Sequence, residues 1–391
     1  MRVLTPIHSF EPGGVERVAL RLVRAWREDG VDAPLWVGRR SGPLEAELGH
    51  DLPYVTPSCP AVLGRLAATA ETLWMVALLP GAIRRIRPDA LFCAGNSYAV
   101  VGVAMKLLLG RDCPAVVLKV SNDLHRRDMP LPLRLGYRAW LGVQRRFVDR
   151  WIAIADGLEA EILEHAGADP ARVEVIPNPS LSSADLEPHP VAGTAARPGR
   201  RFVAVGRLAR QKDLPAMVAA FAEGSGPDDL LTIYGEGPDR RRIENRIRRL
   251  GLTGRVALAG HQPRASKLLR DHDVLLLSSA YEGLPGAVVE ALAAGLPVIA
   301  TDCSRAMPAL LQGGRLGRLV PVGDHAALAE AIRDARPDGL GRERRRHVAA
   351  HRIEHAAPRF AAAFSRAAEA RASGARRARP PIRPVRDPRT T

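Results

Sequence analysis

In the run Val205-Gly206-Arg207-Leu208-Ala209-Arg210-Gln211-Lys212, a glycine, an arginine and a lysine stand between an apolar stretch and a helical one. Glycine lets a ligand approach the backbone closely, and Arg and Lys beside a helix N-terminus suit a pyrophosphate. The same run also reads as a solvated basic loop. Gly235-Glu236-Gly237-Pro238 is a second glycine-rich connection, of a kind that many strand-to-helix junctions share. The run from Ser279 to Val298 says more. It follows the apolar Val274–Leu277, and its turn Gly283-Leu284-Pro285-Gly286 leads into a helix. Amides of such a turn can hold phosphate oxygens. Glu282 in the turn and Glu290 one turn into the helix can face the same cleft, where carboxylates accept from sugar and ribose hydroxyls. Taken alone, the two would be a surface glutamate and a helix-dipole glutamate; the surrounding stretch argues against that.

These residues need strands to deliver them and helices to follow. Arg2–His8 reads as a strand, Ser9–Gly14 as a turn, and Val15–Asp29 as a helix. Val15, Val18, Ala19, Leu22, Val23 and Trp26 share one face of that helix. Strands follow at Ala33–Val37, Ala90–Cys93, Ala115–Val120, Trp151–Ala155 and Val173–Ile176, with helices from Tyr98 and over Leu133–Val148. From Pro179 to Arg200 the chain is Ser, Ala, Pro and Gly without a period, which reads as a linker. The alternation restarts with strand Phe202–Val205, helix Leu214–Glu223, strand Leu230–Tyr234, helix Asp239–Leu250 and strand Val256–Ala259. It continues through helix Arg264–Asp271, strand Val274–Leu277, helix Gly286–Ala294, strand Pro297–Thr301 and helix Ala326–Ala335. Strands alternating with helices imply parallel sheets. The fold class is α/β, with two doubly wound domains and a cleft between them, where ligands of such folds sit.

At 391 residues, 46% hydrophobic and 25% charged, the chain is globular and long enough for two cores. No uncharged run reaches the roughly 18 apolar residues of a membrane span, and no secretory signal is readable at the start. Cys59, Cys93, Cys113 and Cys303 form no CxxC pair, which argues against a disulfide framework or cysteine zinc site and fits a cytoplasmic protein. The net charge of +15 comes almost wholly from arginine, as a GC-rich genome would give. Seven arginines against Asp387 crowd Arg371–Thr391, and with four prolines that segment reads as a disordered tail. With only 4% aromatics and no alternation of aromatic and basic residues, nucleic acid is an improbable partner. Leu133–Trp151 interleaves Tyr137, Trp140 and Trp151 with five arginines. It would suit an anionic membrane surface, or be an ordinary amphipathic helix with its tryptophans inside.

Taken together, Gly13-Gly14-Val15-Glu16, Gly206–Lys212, Gly235-Glu236-Gly237 and the Glu282…Glu290 stretch resemble the GT-B glycosyltransferases of family 4, from about Arg2 to Ala335. The resemblance implies two Rossmann-like domains: 1–178 for the acceptor, a linker at 179–200, and 201–354 for the nucleotide sugar. A helix at 355–371 would cross back to the first domain, ahead of a basic tail at 372–391. It further implies a retaining hexosyltransferase that takes a UDP- or GDP-sugar and needs no cofactor or metal. The acceptor would be a glycan or lipid-linked sugar of cell-envelope polysaccharide, lipopolysaccharide or glycolipid synthesis. Such an enzyme would be cytoplasmic, with the inner face of the plasma membrane as a place of attachment.

By the same resemblance Arg207 and Lys212 hold the donor pyrophosphate, Glu282 the transferred sugar, and Glu290 the ribose. Gly13 and Gly14 form a loop over the phosphates, and Gly206, Gly235, Glu236, Gly237, Gly283, Leu284 and Pro285 complete the donor site. Many members carry a histidine just after the strand corresponding to Ala115–Val120. Here that place reads Ser121-Asn122-Asp123-Leu124-His125, so Asn122 would contact the sugar or His125 would swing in; His125 sits several residues late and reads more readily as a surface residue. His8, at the end of the first strand, is a candidate acceptor contact or a structural residue, and His261 a candidate for the base pocket. Two other readings stand beside this one: a same-fold nucleotide-sugar epimerase or hydrolase, and a basic binding protein that works through its tail.

Overall fold

The computed structural model describes residues 1–11, 13–57, 68–126, 129–187, 198–262 and 265–377. The first half contains strands β1 (Val3–Ser9), β2 (Leu35–Arg39), β3 (Tyr54–Val55), β4 (Ala90–Cys93), β5 (Ala115–Val120), β6 (Arg150–Ala153) and β7 (Val173–Val175). Helices α1 (Gly14–Glu28), α2 (Ala68–Ile86), α3 (Ala99–Leu109), α4 (Leu131–Phe147) and α5 (Leu158–Glu161) connect them. The second half contains β8 (Arg201–Val205), β9 (Leu230–Tyr234), β10 (Val256–Gly260), β11 (Val274–Leu277), β12 (Val298–Thr301) and β13 (Arg318–Val320). Its helices are α6 (Leu214–Gly224), α7 (Arg240–Arg249), α8 (Ala265–Leu268), α9 (Gly286–Ala294), α10 (Met307–Leu310), α11 (His325–Asp334) and α12 (Gly341–Val348). The helix α13 (Ile353–Arg377) ends the described chain.

All strand pairs are parallel, in two sheets ordered β3-β2-β1-β4-β5-β6-β7 and β10-β9-β8-β11-β12-β13. Each sheet is covered on both faces, and alternate residues of one strand enter different cores. Leu91 and Cys93 of β4 join one cluster, while Ala90 and Phe92 join the other, against α1 and α13. The strand order reverses between β1 and β4 in the first sheet and between β8 and β11 in the second. At such a reversal the following helices diverge to opposite faces and leave a crevice at the strands' carboxyl ends. This double Rossmann-like architecture matches the expected fold class.

α13 packs on the first half of the chain. Ala356, Ala357, Phe360, Ala363, Phe364 and Ala367 form its buried stripe, and Trp26 of α1 donates Nε1–H to the Ala357 carbonyl at 3.0 Å. The Trp26 ring meets Phe92 and Phe364 edge-on at 5.5 and 5.0 Å. The helix continues to Arg377, so residues 372–377 are helical where a tail was expected; Ala-Arg composition favours helix. Residues 378–391 lie outside the described residues.

The linker also differs from a featureless segment. Ser183–Leu186 forms a helical turn closed by a reciprocal Ser182–Asp185 capping box, and it packs against α9. Residues 188–197 lie outside the described residues.

Candidate active site

The reversal points bring the sequence motifs to the carboxyl ends of both sheets. In the second sheet, β8 runs directly into Gly206, whose φ of +156° suits glycine; a Cβ there would lie 3.1 Å from the Lys212 side chain. Arg207 is exposed, and its guanidinium has no hydrogen-bond or ion-pair partner among the described residues. Lys212 Nζ donates to Glu282 Oε1, joining the loop after β8 to the loop after β11. Ser279 Oγ donates to the same carboxylate oxygen at 2.8 Å, and the Glu282 amide donates to the Cys303 carbonyl at 3.0 Å. Glu282 is thereby fixed between two elements.

The turn beyond Glu282 is rich in open donors. The amides of Gly283, Leu284, Gly286 and Ala287 donate to no acceptor among the described residues. Pro285 precedes the first turn of α9, so these donors stand at the positive end of the helix. The Gly235 loop closes the other side. Gly235 has a φ of +144°, and a Cβ would fall 1.9 Å from the Gly206 carbonyl oxygen. A Cβ on Gly237 would fall 2.3 Å from the Leu208 carbonyl oxygen. Only glycine lets these two loops lie together. Glu236 points outward and pairs with Arg240 at 2.8 Å. His261 is exposed beyond β10.

Glu290 lies on α9, partly buried, with no hydrogen bond or ion pair among the described residues. Burial pushes its carboxyl up to about 7, with Asp185 adding to the rise; Arg21 and Arg17 of α1 oppose it. Glu290 therefore faces α1 across the two halves of the chain. Gly13 and Gly14 stand at the start of that helix, where the Glu16 carboxylate folds back so closely that a Cβ on Gly13 would collide with it. The halves also meet directly: a Cβ on Gly283 would lie 2.5 Å from the Ser121 carbonyl oxygen and 2.9 Å from the Asn122 Cα.

The first sheet's end carries a chain of polar groups. Tyr98 Oη accepts from the His8 amide at 3.0 Å and donates to Glu16 at 3.0 Å, and His8 Nε2 bonds Thr72 Oγ1 at 3.1 Å. Burial lowers the His8 pKa, against the pull of Glu16 and Glu71. Asn122 Oδ1 accepts from the Asp123 amide at 3.0 Å, capping its own turn. His125 packs its ring on His165 at 5.1 Å, beside the Glu164–Arg305 pair. Asn122 adjoins the Gly283 loop, and His125 sits in a different cluster. Lys119 and Asn178, both in this region, carried no sequence signal. A lysine inside Ala115–Val120 reads only as part of a strand.

The fold and the paired loops define the GT-B class, two Rossmann-like domains meeting at their strand ends. Residues 12–179 match the Glycosyltransferase Family 4 profile and residues 199–337 the Glycosyl transferases group 1 profile. The chain belongs to glycosyltransferase family 4. It is 33% identical to the lipopolysaccharide core biosynthesis glycosyltransferase LpsD of Rhizobium meliloti, over 86% of this chain and 89% of that protein. Three other relatives are covered only in part, at 25%, 26% and 48% of their length. Among solved structures, Anabaena Alr3699/HepE in complex with UDP-glucose shares the fold, with a TM-score of 0.70, 20% identity and coverage of 96% and 100%. The lipopolysaccharide outer core galactosyltransferase WaaB does likewise, at TM-score 0.68 and 18% identity over 94% and 100%.

Proposed function

We propose that the protein is a retaining hexosyltransferase that moves a sugar from a UDP- or GDP-sugar to a glycan or lipid-linked acceptor of the cell envelope. The observation that carries this reading is the pairing of Lys212 with Glu282 beside four open amides, opposite α1, with the exposed Arg207 on the same loop as Lys212. Arg207 has its full set of donors free, and Lys212 keeps two after bonding Glu282. With the amides of the Gly283–Ala287 turn they would neutralise the departing diphosphate, which is electrostatic stabilisation of the transition state. Glu282 would orient hydroxyls of the transferred sugar and Glu290 those of the ribose. His8 and Asn122 would stand toward the acceptor.

Retention would follow from front-face attack. The bond from the anomeric carbon to the phosphate oxygen breaks as the bond to the acceptor oxygen forms on the same face. The departing phosphate oxygen takes the acceptor proton, giving glycoside and nucleoside diphosphate. Positive side chains and amides serve the leaving group without a metal, so activity is expected to survive EDTA. Strict dependence on added Mn²⁺ or Mg²⁺ would overturn that part. Calorimetric titration with UDP, GDP, ADP and their sugar conjugates, on wild type and Lys212→Ala, tests the donor site. Binding of one nucleotide, lost in the variant, supports the reading, and binding of none refutes it. Full turnover with donor alone would favour the hydrolase or epimerase.

A membrane-bound acceptor has support of its own. α2, α3 and α4 lie side by side, and α4 exposes Leu131, Leu133 and Leu135 to 64%, 62% and 57% next to Arg138, Arg145 and Arg146. Trp151 is buried and Trp140 packs on the core, so leucines, not tryptophans, form the outer face. No described helix is long and apolar enough to cross a membrane. Exposed leucines flanked by arginines suit the surface of an anionic bilayer. Sedimentation with phosphatidylglycerol vesicles, lost on Leu131, Leu133 and Leu135 to Ser, is the expected result; equal binding by the variant removes this surface.

A further inference from the structure

Lys119 stands on β5 on the side whose neighbours, Ala115 and Val117, belong to the apolar core under α1 and α13. It is 1% exposed. Burying an ammonium is costly unless it is well paired. Here its hydrogen-bond partner is a neutral amide, Asn178 Oδ1, at 3.2 Å. Glu16 is the neighbouring charge, and burial still pulls the ammonium down to about 8. A methionine would fill the same space without that cost, so packing does not explain the lysine.

Its partner's position does. Asn178 lies where the chain leaves the first domain. The Asn178 carbonyl accepts from His351 Nδ1 at 3.1 Å, on the segment by which the chain returns. The outgoing and returning segments are tied as a parallel bridge, with Leu181 N to His351 O at 3.1 Å and Ile353 N to Leu181 O at 2.8 Å. Arg21 of α1 adds a bond to the Ser180 carbonyl at 2.6 Å. Two residues beyond Lys119, Ser121 is the backbone that touches Gly283 of the donor loop. One side chain thus links the strand carrying that floor to both connections between the domains.

We infer that Lys119 is a positioning residue that, through Asn178, holds the two interdomain connections in the arrangement that sets Ser121 and Asn122 against the Gly283 loop. The inference rests on the transferase reading only for its kinetic consequence. The geometric consequence is independent of any substrate.

The test measures spin-label distances between the two domains in the full chain, with thermal midpoints, for Lys119→Met, Asn178→Ala and the wild type. Both variants are expected to broaden the interdomain distance distribution while melting as two-domain proteins. Lys119→Met is expected to lose about tenfold in kcat, the scale of one hydrogen bond, with UDP affinity changed less than about twofold. Asn178→Asp, which places a carboxylate against the ammonium, is expected to keep the narrow distribution. If Lys119→Met does not fold, Asn178→Ala decides alone. Unchanged distributions in the folded variants overturn the inference whatever the enzyme does, whereas broadening without any UDP binding in wild type would overturn the donor site and leave the tie standing.

Discussion

Lys212 and Glu282, seventy residues apart, form an ion pair that locks the loop after β8 to the loop after β11. The pair orders both proposed donor-binding loops at once, and Ser279 shares its carboxylate oxygen. Removing either member therefore has a local and a remote effect. Lys212→Ala takes away a proposed phosphate donor and leaves the Glu282 carboxylate with Ser279 alone. UDP affinity is expected to fall by about 10- to 100-fold, as for one charge-assisted hydrogen bond. Glu282→Ala keeps the lysine and is expected to slow transfer with affinity nearly unchanged. Calorimetry and steady-state kinetics on both variants check this; an affinity loss confined to Glu282→Ala would exchange the two roles.

Glu290 gives a prediction with a pH sign. Its carboxyl is held up to about 7 by burial, against an ordinary carboxylate value near 4.3. Between these values the unfolded chain releases the proton and the folded chain keeps it. The group's contribution to stability therefore falls as pH rises from the ordinary range to about 7, and is constant above. A ribose hydroxyl donating to Glu290 would favour the ionised form. Nucleotide binding is then expected to release a proton near pH 6.5–7 (about the raised pKa) and to tighten as pH rises through it. Titration in buffers of different ionisation enthalpy measures the release. Glu290→Gln is expected to abolish it, and equal release by that variant would place the proton elsewhere.

Gly283 is one of the places where the two halves of the chain touch. A Cβ there would lie 2.5 Å from the Ser121 carbonyl oxygen, a backbone atom that cannot swing aside as a side-chain tip could. Gly283→Ala must push the domains apart or strain the turn, a cost of about 1–3 kcal/mol if met within the fold. Turnover is expected to drop by about tenfold or more, with only a small change in melting temperature because the cores are untouched. Gly254→Ala, in open space, is the control expected to change neither. Wild-type turnover in Gly283→Ala would show that this contact is dispensable.

The loops proposed to hold the donor are legible because each combines three local signals: an apolar strand, a glycine and a charged residue before a helix. A Cβ on Gly235 or Gly283 would strike backbone atoms, and one on Gly206 would press on the Lys212 side chain. α2 carries no helical signal in the sequence, because Pro80 and Gly81 interrupt it and its apolar residues surround it without a face. β13, three residues long, is below what alternation can reveal. The polar chain from Thr72 through His8 and Tyr98 to Glu16, and the tie from Lys119 to Asn178, join residues 59 or more positions apart. The Glu290–Arg21 proximity depends on how two domains are set against one another. No spacing along the chain encodes it.

Arg305 and Glu164 make the last prediction. Arg305 follows β12, Glu164 follows α5, and the guanidinium donates to both carboxylate oxygens at 2.9 and 2.6 Å across the domains. The arginine holds the Glu164 carboxyl below its usual range, and Glu164 raises the Arg305 pKa in return. With a depressed carboxyl, the pair's contribution is present above the ordinary carboxylate range and is lost as pH falls through the lowered value. Both side chains are exposed, so added salt weakens their attraction, the Debye length being about 8 Å at physiological strength. The pair is expected to matter for the mutual placement of the domains more than for folding. Raising NaCl should increase the donor KM of wild type, and Arg305→Ala should show the raised KM already at low salt and respond little to more. The melting temperature should barely move. Exchanging the charges, Arg305→Glu with Glu164→Arg, should restore the low-salt KM. A restored KM with the wild-type salt response identifies the pair as an interdomain clamp, whereas a KM indifferent to salt and to both variants removes it from the working cycle.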